Sequence, residues 1–286
     1  MTGLPTISVV TPSLNQGQFI EDAVASVLMQ EYPSVEHIVV DGCSSDNTLS
    51  VLRGYPHLRW ISEPDHCQSE ALNKGFQMAS GDLVGWLNTD EYYLPGALQA
   101  VARCATDNPD ADIFYGDSIF VDADGRLQRA KRSHEFNPHI LLYYGCFIPT
   151  DATFFRRRLI DESFLLDTNY RVVMDFEYFA RLAAAGKRFK YIKRILGSFR
   201  WHGSNLSLQG SRRRSERLQV QRAWSGLTLP DRGYDLLAGL CRLHRGALKL
   251  LNGNIGSELE SLRWAGLDTR WFEESEGCKT CDALLR

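Results

Sequence analysis

Residues 6–48, TISVVTPSLNQGQFIEDAVASVLMQEYPSVEHIVVDGCSSDNT, decide the fold. Two β-branched runs, TISVVTP and VEHIVVDG, flank a segment whose apolar residues recur at helical spacing. The alternation continues through two further strand patterns, LRWISE and DLVGWLNTD, each followed by a helical pattern. Strands that alternate with helices of about 10–15 residues predict an α/β fold, in which helices flank a mainly parallel sheet with right-handed crossovers.

The pattern changes after residue 112. The stretch ADIFYGDSIFVDADGRLQRAKRS predicts a hairpin that turns at DADG, and a helix ending at Gly186 and one more strand follow it. From residue 211 the pattern is mostly helical. We therefore expect an α/β domain over residues 1–210 and a helical C-terminal extension over residues 211–286.

The 286 residues carry a net charge of −3, with 44% apolar and 23% charged residues, as is typical of a soluble globular protein. A general nucleic-acid-binding protein is not expected, since phosphate neutralisation needs a basic excess. The N-terminus lacks a secretory pattern, no run of about 18 apolar residues occurs, and the seven cysteines lack framework spacing, so we expect a cytoplasmic protein. We interpret the CxxC of Cys278 and Cys281 as incidental, with a zinc or redox role as the alternative.

Polar side chains follow all four strands predicted in the first half. In open α/β sheets, ligands bind beyond the carboxyl ends of the strands, so this position indicates a binding site. The alternative is that these residues cap helices and start turns, which Asp, Asn and Ser do well. In chain order they are Thr11, Pro12, Ser13, Asn15, Asp41, Gly42, Glu63, Asp65, Asn88, Asp90 and Glu91.

Asp90 and Glu91 stand side by side at the end of an apolar strand, where two carboxylates repel each other. A divalent cation would relieve this repulsion, and together with Asn88 the two acids offer the oxygen ligands that suit Mg²⁺ or Mn²⁺. His202, in the polar stretch WHGSNLS, is a candidate third ligand, although a lone histidine is more often exposed or a helix cap.

Asp175 and Glu177 open a predicted helix, MDFEYFARL. Because they are two residues apart, their side chains diverge by about 200° on a helix. We expect one of them to face a cleft and the other to be solvated or to cap the helix. Asp175 is then either an N-cap or a general base that points to the site.

Four linked motifs resemble those of family 2 glycosyltransferases with the GT-A fold. They are the block at residues 6–48, NKGFQMASGDLVGWLNTDE with the metal motif, MDFEYFARL, and RWHGSNLS. The resemblance spans residues 5–208 and implies a Rossmann-like GT-A domain, so that residues 1–210 would be a glycosyltransferase domain.

The resemblance implies an inverting enzyme that moves a sugar from a UDP- or GDP-sugar to a hydroxyl of a glycan or polyprenyl-linked acceptor, in surface polysaccharide biosynthesis. Asp90 would ligate Mn²⁺ or Mg²⁺, helped by Glu91 and His202. Asp175 would take the proton of the acceptor hydroxyl, and Asp41 would accept from the nucleobase. The implied donor-binding residues are Thr11, Pro12, Ser13, Asn15, Asp41, Asp65, Asn73, Lys74, Asn88 and Thr89.

Two positions depart from the family's pattern, because Asn88 replaces the first acid of the D-x-D motif and Glu91 replaces the commoner aspartate. They leave open the alternative of a catalytically silent relative that only binds nucleotide or a partner. A nucleotidyltransferase would need a glycine-rich, basic phosphate loop after the first strand, where this chain has TPSLNQGQF. The chain also lacks the dinucleotide turn G-x-G-x-x-G, the P-loop and the G-x-S-x-G elbow.

Residues 211–250 are basic, with nine Lys and Arg against three Asp and Glu, and the run Arg212 to Arg214 could meet lipid headgroups or an acceptor phosphate. One helix there places Arg242, Arg245 and Lys249 on one face. We expect the opposite, apolar face to pack on the domain, and the alternative is peripheral contact with the inner membrane surface. The leucines of that face are Leu236, Leu237, Leu240, Leu243, Leu248 and Leu251.

Overall fold

Nine strands form one sheet in this computed structural model, which describes residues 3–270 of the chain. Cys278 and Cys281 lie outside the described residues. The strands are β1 (Ile7–Ser13), β2 (Val35–Asp41), β3 (Arg59–Ser62), β4 (Leu83–Trp86), β5 (Tyr92–Tyr93), β6 (Ile113–Val121), β7 (Leu127–Lys131), β8 (Thr153–Arg156) and β9 (Phe189–Arg200). Their order in the sheet is β3-β2-β1-β4-β8-β6-β9-β5, and β7 pairs with β6.

Helices connect the strands and form the C-terminal extension. The α-helices are α1 (Ile20–Leu28), α2 (Thr48–Arg53), α3 (Gln68–Met78), α4 (Ala97–Asp107), α5 (Arg158–Asp161), α6 (Met174–Ala184), α7 (Gly210–Trp224), α8 (Asp231–Leu251) and α9 (Asn254–Ser261). A π-helical turn and three 3₁₀ turns complete them, at Ile140–Tyr144, Thr150–Ala152, Leu206–Leu208 and Leu262–Trp264.

The first four strands make a parallel half-sheet with β1 at its centre, between β2 and β4. All seven residues of β1 are buried, as expected for a parallel strand covered on both faces. The register sets Ser13 beside Asp41, and Asp41 beside Ser62, so the carboxyl ends of three strands meet at one edge. The predicted α/β arrangement is confirmed, and the polar strand ends are brought together by it.

The second half of the sheet is mixed. β8 runs antiparallel between β4 and β6, and the predicted hairpin is formed by β6 and β7. Gly125 in its turn takes φ +77°, a left-handed conformation that costs glycine little. β9 pairs with β5, which directly follows the loop at residues 88–91, and this pairing brings the segment after Arg200 close to that loop.

Alternate residues of β1 belong to two apolar clusters, one on each face of the sheet. Val10 packs with Phe76 of α3, whereas Ile7 and Val9 pack with residues of α1 and α4. Helix α3 comes so close to the sheet that only a hydrogen side chain fits at Gly75. Gly75 faces Val10 of β1 and Val40 of β2, and Gln68 at the start of α3 donates a hydrogen bond to Asn88, which follows β4.

The C-terminal extension is fastened to the loop that precedes α6. Glu216 of α7 is buried and accepts hydrogen bonds of 2.9–3.2 Å from the backbone N–H groups of Arg171, Val172 and Val173. None of the helices within residues 3–270 has the length and apolar character needed to cross a bilayer.

Helix α8 is turned the opposite way from the sequence prediction. Lys249 is buried with Glu258 at 2.5 Å, and the Arg245 guanidinium lies 5.0 Å from the centroid of the Tyr144 ring. Tyr234 is buried on the packed face. Of the six leucines predicted to pack, only Leu237 and Leu248 do so, and of the basic residues predicted to be solvated only Arg242 is exposed, so the prediction is wrong for most of the helix. The exposed leucines of α8 are Leu236, Leu240, Leu243, Leu250 and Leu251.

The packing of α3 predicts opposite effects for two glycine-to-alanine substitutions. In Gly75→Ala the new Cβ would lie 2.3 Å from Val10 Cγ1, and we expect a loss of about 1–3 kcal/mol in the free energy of unfolding. Gly239→Ala in α8 meets no atom within 4 Å and should add about 0.5–1 kcal/mol, since alanine favours the helix. Urea unfolding of both variants measures this, and equal effects would contradict the packing described.

Candidate active site

A cavity of about 530 Å³ opens beyond the carboxyl ends of β1 and β4. Of the fourteen site residues predicted from the sequence, nine line it. These nine are Pro12, Ser13, Asp65, Asn88, Thr89, Asp90, Glu91, Asp175 and His202. They come from segments up to 190 residues apart, so the sheet topology, and not local sequence, assembles the cavity.

Asp90 and His202 form a direct contact at the cavity wall. The imidazole Nε2 lies 2.8 Å from Asp90 Oδ2, and Nδ1 lies 2.8 Å from the hydroxyl of Ser204. Because an ionised carboxylate only accepts, Nε2 is the donor in its contact with Asp90. The His202 ring also packs on Phe19, with ring centroids 4.9 Å apart. The structure therefore brings together two of the three predicted metal ligands.

Arg200 fixes the position of this pair. It is 1% exposed at the end of β9, and its guanidinium donates to the backbone carbonyls of Asp90 (3.0 Å) and Ala123 (2.7 Å). It also pairs with Asp22 of α1 at 2.5 Å. Sequence analysis missed Arg200, since a strand arginine carries no signal of burial.

Glu91 lines the cavity, but its carboxylate is held within the protein. Its side chain is 1% exposed, and Oε2 accepts a 3.0 Å hydrogen bond from the backbone N–H of Asn88. Burial, with Asp151 and Asp90 nearby, raises its pKa well above the usual value. Among residues 3–270 no group of three His, Cys, Asp or Glu side chains surrounds a common metal position, so the predicted three-ligand set is not formed in this geometry.

A second buried carboxyl, Asp151, accompanies Glu91 and was not predicted. It is 1% exposed and accepts a hydrogen bond from the hydroxyl of Ser118. Burial raises its pKa to about 6. The sequence offered only the loop PTDA before β8, where an aspartate is an ordinary turn residue.

The amide of Asn88 has a fixed orientation. Its Oδ1 accepts from Gln68 Nε2 at 2.7 Å and from the indole Nε1 of Trp86 at 2.8 Å. Because an indole N–H only donates, the amide oxygen faces the protein and the NH₂ group is the part left for a ligand. Gln68 was missed, although its place at the start of α3, beyond β3, is where the strand-end rule points.

Asp175 lies in the first turn of α6 and lines the cavity. Burial raises its pKa, and the Phe176 backbone N–H, the Cys146 thiol and the charge of Lys131 act in the opposite direction. Val173 occupies the N-cap position, so Asp175 is not the cap. Glu177 diverges from it as predicted, but it is buried and paired with Arg181 at 2.9 Å, neither solvated nor a cap.

Two polar atoms at the cavity have no protein partner. Ser13 Oγ and Gln16 Oε1 are buried, line the cavity and make no hydrogen bond with any described residue. A buried polar group without a partner is costly, and a ligand is one way to satisfy it. Gln16 belongs to the first strand-end loop but was not predicted.

The other predicted donor-binding residues hold loops and do not line the cavity. Asp41 is 0% exposed and does not line the cavity, and its carboxylate accepts from Ser44 N–H (2.9 Å), from the Ser44 hydroxyl and from Ser62 Oγ (2.6 Å). Thr11 Oγ1 lies 2.9 Å from His37 Nε2 in the interior, where burial lowers the His37 pKa to about 3.

Asn15, Asn73 and Lys74 have similar structural roles. Asn15 Oδ1 accepts from the Ser45 backbone N–H at 2.8 Å, which joins the loops after β1 and β2. Asn73 exchanges hydrogen bonds of 2.8 and 2.9 Å with the backbone of Leu166. Lys74 pairs with Glu63 at 2.9 Å. These residues therefore hold neighbouring segments together and do not line the cavity.

Solved structures with the same architecture are GT-A glycosyltransferases. The TarS fragment 1–349 of S. aureus in complex with UDP matches 87% of this chain and 74% of its own, with 17% identity and a TM-score of 0.61. The mannosyltransferase PcManGT of Pyrobaculum calidifontis, in complex with GDP-Man and Mn²⁺, matches 85% and 71%, with 19% identity and a TM-score of 0.60. The sheet and its flanking helices are thus a GT-A fold, as the resemblance implied.

The sequence comparisons identify the family. The model of Glycosyl transferase family 2 matches residues 8–179. An uncharacterized glycosyltransferase of Mycobacterium tuberculosis is 32% identical over 188 residues, which are 64% of this chain and 71% of the relative. The chondroitin synthase of Pasteurella multocida is 27% identical over 72% of this chain and 22% of its own length. The chain belongs to glycosyl transferase family 2 and is a glycosyltransferase.

The contrast between Thr11 and Ser13 gives a stability prediction. Thr11→Val leaves the buried His37 nitrogen unpaired and should lower the free energy of unfolding by about 1–3 kcal/mol. Ser13→Ala removes a hydroxyl that has no partner and should leave the free energy unchanged or raise it. Urea unfolding of both variants is the measurement, and a loss in Ser13→Ala as large as in Thr11→Val would show that the two hydroxyls are not placed as described.

Proposed function

We propose that this glycosyltransferase is metal-dependent and inverting, and that it moves a sugar from a UDP- or GDP-sugar to a hydroxyl of a glycan or polyprenyl-linked acceptor. Surface polysaccharide synthesis in the cytoplasm, at the inner face of the membrane, is the setting that we infer. The observation that carries the proposal is the assembly of Asp90, His202 and Asp175 on the wall of one cavity beyond the strand ends. Asp90 and His202 are the candidate ligands of a cation, and Asp175 is the candidate base.

Ser13, Gln16, Asn88 and Asp65 are the residues that we propose for the nucleoside. The first two have unpartnered atoms at the cavity, and Asn88 has a free NH₂ group. Asp65 lines the cavity, and we propose it in place of Asp41 as the acid near the base. The UDP of the TarS complex and the GDP-Man of the mannosyltransferase complex support a nucleoside diphosphate sugar without choosing the base.

The residues present fit a divalent cation. Asp90 offers a carboxylate oxygen and His202 an imidazole nitrogen, 2.8 Å apart at the cavity wall, and this donor set suits Mn²⁺ and is acceptable to Mg²⁺. The cation, when bound, supplies positive charge against the charge that develops on the departing nucleoside diphosphate. The mannosyltransferase complex, which holds Mn²⁺, supports this choice. Glu91 would orient the loop through the Asn88 N–H instead of binding the ion directly.

Asp175 is the proposed general base. Its carboxylate takes the proton from the acceptor hydroxyl while that oxygen attacks the anomeric carbon, and the bond from this carbon to the diphosphate breaks. A base needs a pKa closer to neutrality than that of a free aspartate, and the burial of Asp175 changes its pKa in this direction. A single displacement inverts the anomeric configuration and needs no covalent enzyme intermediate.

A silent, nucleotide-binding relative is the second candidate. It is favoured by Asn88, whose oxygen is already used by Gln68 and Trp86, and by the burial of Glu91. This candidate predicts nucleotide binding without turnover of any sugar donor.

Titration calorimetry with UDP and GDP, each with and without Mn²⁺, tests the proposal. We expect one nucleotide to bind in a cation-dependent way, and Asp90→Asn to lose this dependence. Asp175→Asn should bind the same nucleotide normally but lose at least about 100-fold in turnover with its sugar donor. Asp161→Asn, an exposed acid of α5, is the matched control and should change neither quantity.

Two results would contradict the proposal. In the first, the nucleotide binds equally tightly with and without the cation, and equally tightly to Asp90→Asn. That result would show that nucleotide binding does not depend on a metal held by Asp90. Cation-dependent binding with no turnover in the unaltered chain, across UDP- and GDP-sugars and hydroxyl acceptors, would favour the silent relative.

A further inference from the structure

Helix α8 exposes a continuous apolar stripe that no described residue covers. Five leucines, which we call the leucine face, are 56–83% exposed and fall within an arc of about 100° when plotted at 100° per residue. They are Leu236, Leu240, Leu243, Leu250 and Leu251. Scattered exposed leucines are ordinary, but five on one stripe of a single helix are typical of a contact surface.

Basic side chains border the leucine face. Arg232 lies on the line of the face at its N-terminal end, His244 lies about 20° outside the arc on one flank, and Arg242 lies about 80° outside it on the other. All three are exposed, and neither arginine has an ion-pair partner among residues 3–270. The two acids of α8 are already neutralised, because Asp231 pairs with Arg222 and Asp235 pairs with Arg214. The border of the face is therefore positive, although the whole chain has a net charge of −3.

We propose that the leucine face seats the protein on the surface of an anionic lipid bilayer, with Arg232 and Arg242 at the level of the lipid phosphates. An apolar stripe that enters the acyl boundary, bordered by cations that meet the headgroups, is the arrangement that holds interfacial helices in place. The helix has 21 residues and is about 31 Å long, enough to lie along the surface as one element. Arg245 and Lys249, which pack on the domain, are not part of this contact.

A second copy of the chain fits the face less well. A two-fold contact through the leucine face would place the arginines of both copies along one seam. The face has no free carboxylate to pair with them, since Asp231 and Asp235 are occupied. Lipid phosphates, in contrast, would neutralise them.

This inference deepens the proposed function, because a polyprenyl-linked acceptor would be met at the same surface. It can be tested separately, since vesicle binding requires no turnover. The experiment is flotation of the full chain with vesicles of phosphatidylcholine alone and of phosphatidylcholine with phosphatidylglycerol. Sedimentation velocity without lipid measures the oligomeric state.

The unaltered chain should float with the anionic vesicles and not with phosphatidylcholine alone. The double variant Leu243→Glu/Leu250→Glu should lose at least about 10-fold in vesicle affinity, because two buried side chains are replaced by acids. Arg232→Gln/Arg242→Gln should lose about five-fold per arginine. Leu28→Glu, an exposed leucine of α1, is the matched control and should float like the unaltered chain.

Three results would overturn the inference. The unaltered chain would not float with either vesicle, or flotation would persist in the double leucine variant, or the chain would sediment as a dimer that the same variant dissociates. Circular dichroism and urea unfolding of each variant show that it is folded, so loss of flotation cannot be mistaken for loss of structure.

Discussion

The buried guanidinium of Arg200 joins three segments that must meet for the cavity to exist. Its contacts with Asp22, with the Asp90 carbonyl and with the Ala123 carbonyl connect α1, the loop after β4 and the hairpin turn. Charge-assisted hydrogen bonds in a buried setting are strong, and removing either charge would leave the other without compensation. Because His202 follows two residues later, the same contacts set the distance between His202 and Asp90.

The chemistry of the cavity wall depends on a layer of acids with different surroundings. Asp90 lines the cavity and contacts His202, whereas the carboxyl groups of Glu91 and Asp151 are buried, and burial raises their pKa values. A raised pKa favours the neutral form of each buried acid, which lessens the repulsion that they exert on the Asp90 carboxylate. Asp175, in the first turn of α6, lines the same cavity, although it lies far from Asp90 in the sequence.

Periodicity and strand-end logic predicted much of this arrangement from the sequence. The alternation of strands and helices predicted the parallel half-sheet, and the rule that ligands bind at the carboxyl ends predicted Ser13, Asn88 and Asp90. The same rule also selected Thr11 and Asp41, which face inward and are satisfied by His37, Ser44 and Ser62. A sequence shows that a residue is polar, but it does not show whether that polar group is already hydrogen-bonded to a residue from another segment.

Residues from distant segments were the least predictable. Gln68 and Asp151 act through tertiary contacts, and an ordinary helix start and an ordinary turn gave them no distinctive signal. Helix α8 shows the same limit, because Tyr234, Leu237, Leu248 and Lys249 lie on its packed face while five other leucines remain exposed. Amphipathic spacing identified the helix but not which side the domain would cover.

The most direct measurement for the central claim is an anomalous difference map at the manganese edge, from crystals of the chain grown with Mn²⁺ and the nucleotide that binds. We predict a peak within bonding distance of the Asp90 carboxylate and of the His202 imidazole, which would replace their direct hydrogen bond. A bound nucleotide with no peak there, and with the 2.8 Å contact between Asp90 and His202 still intact, would contradict it.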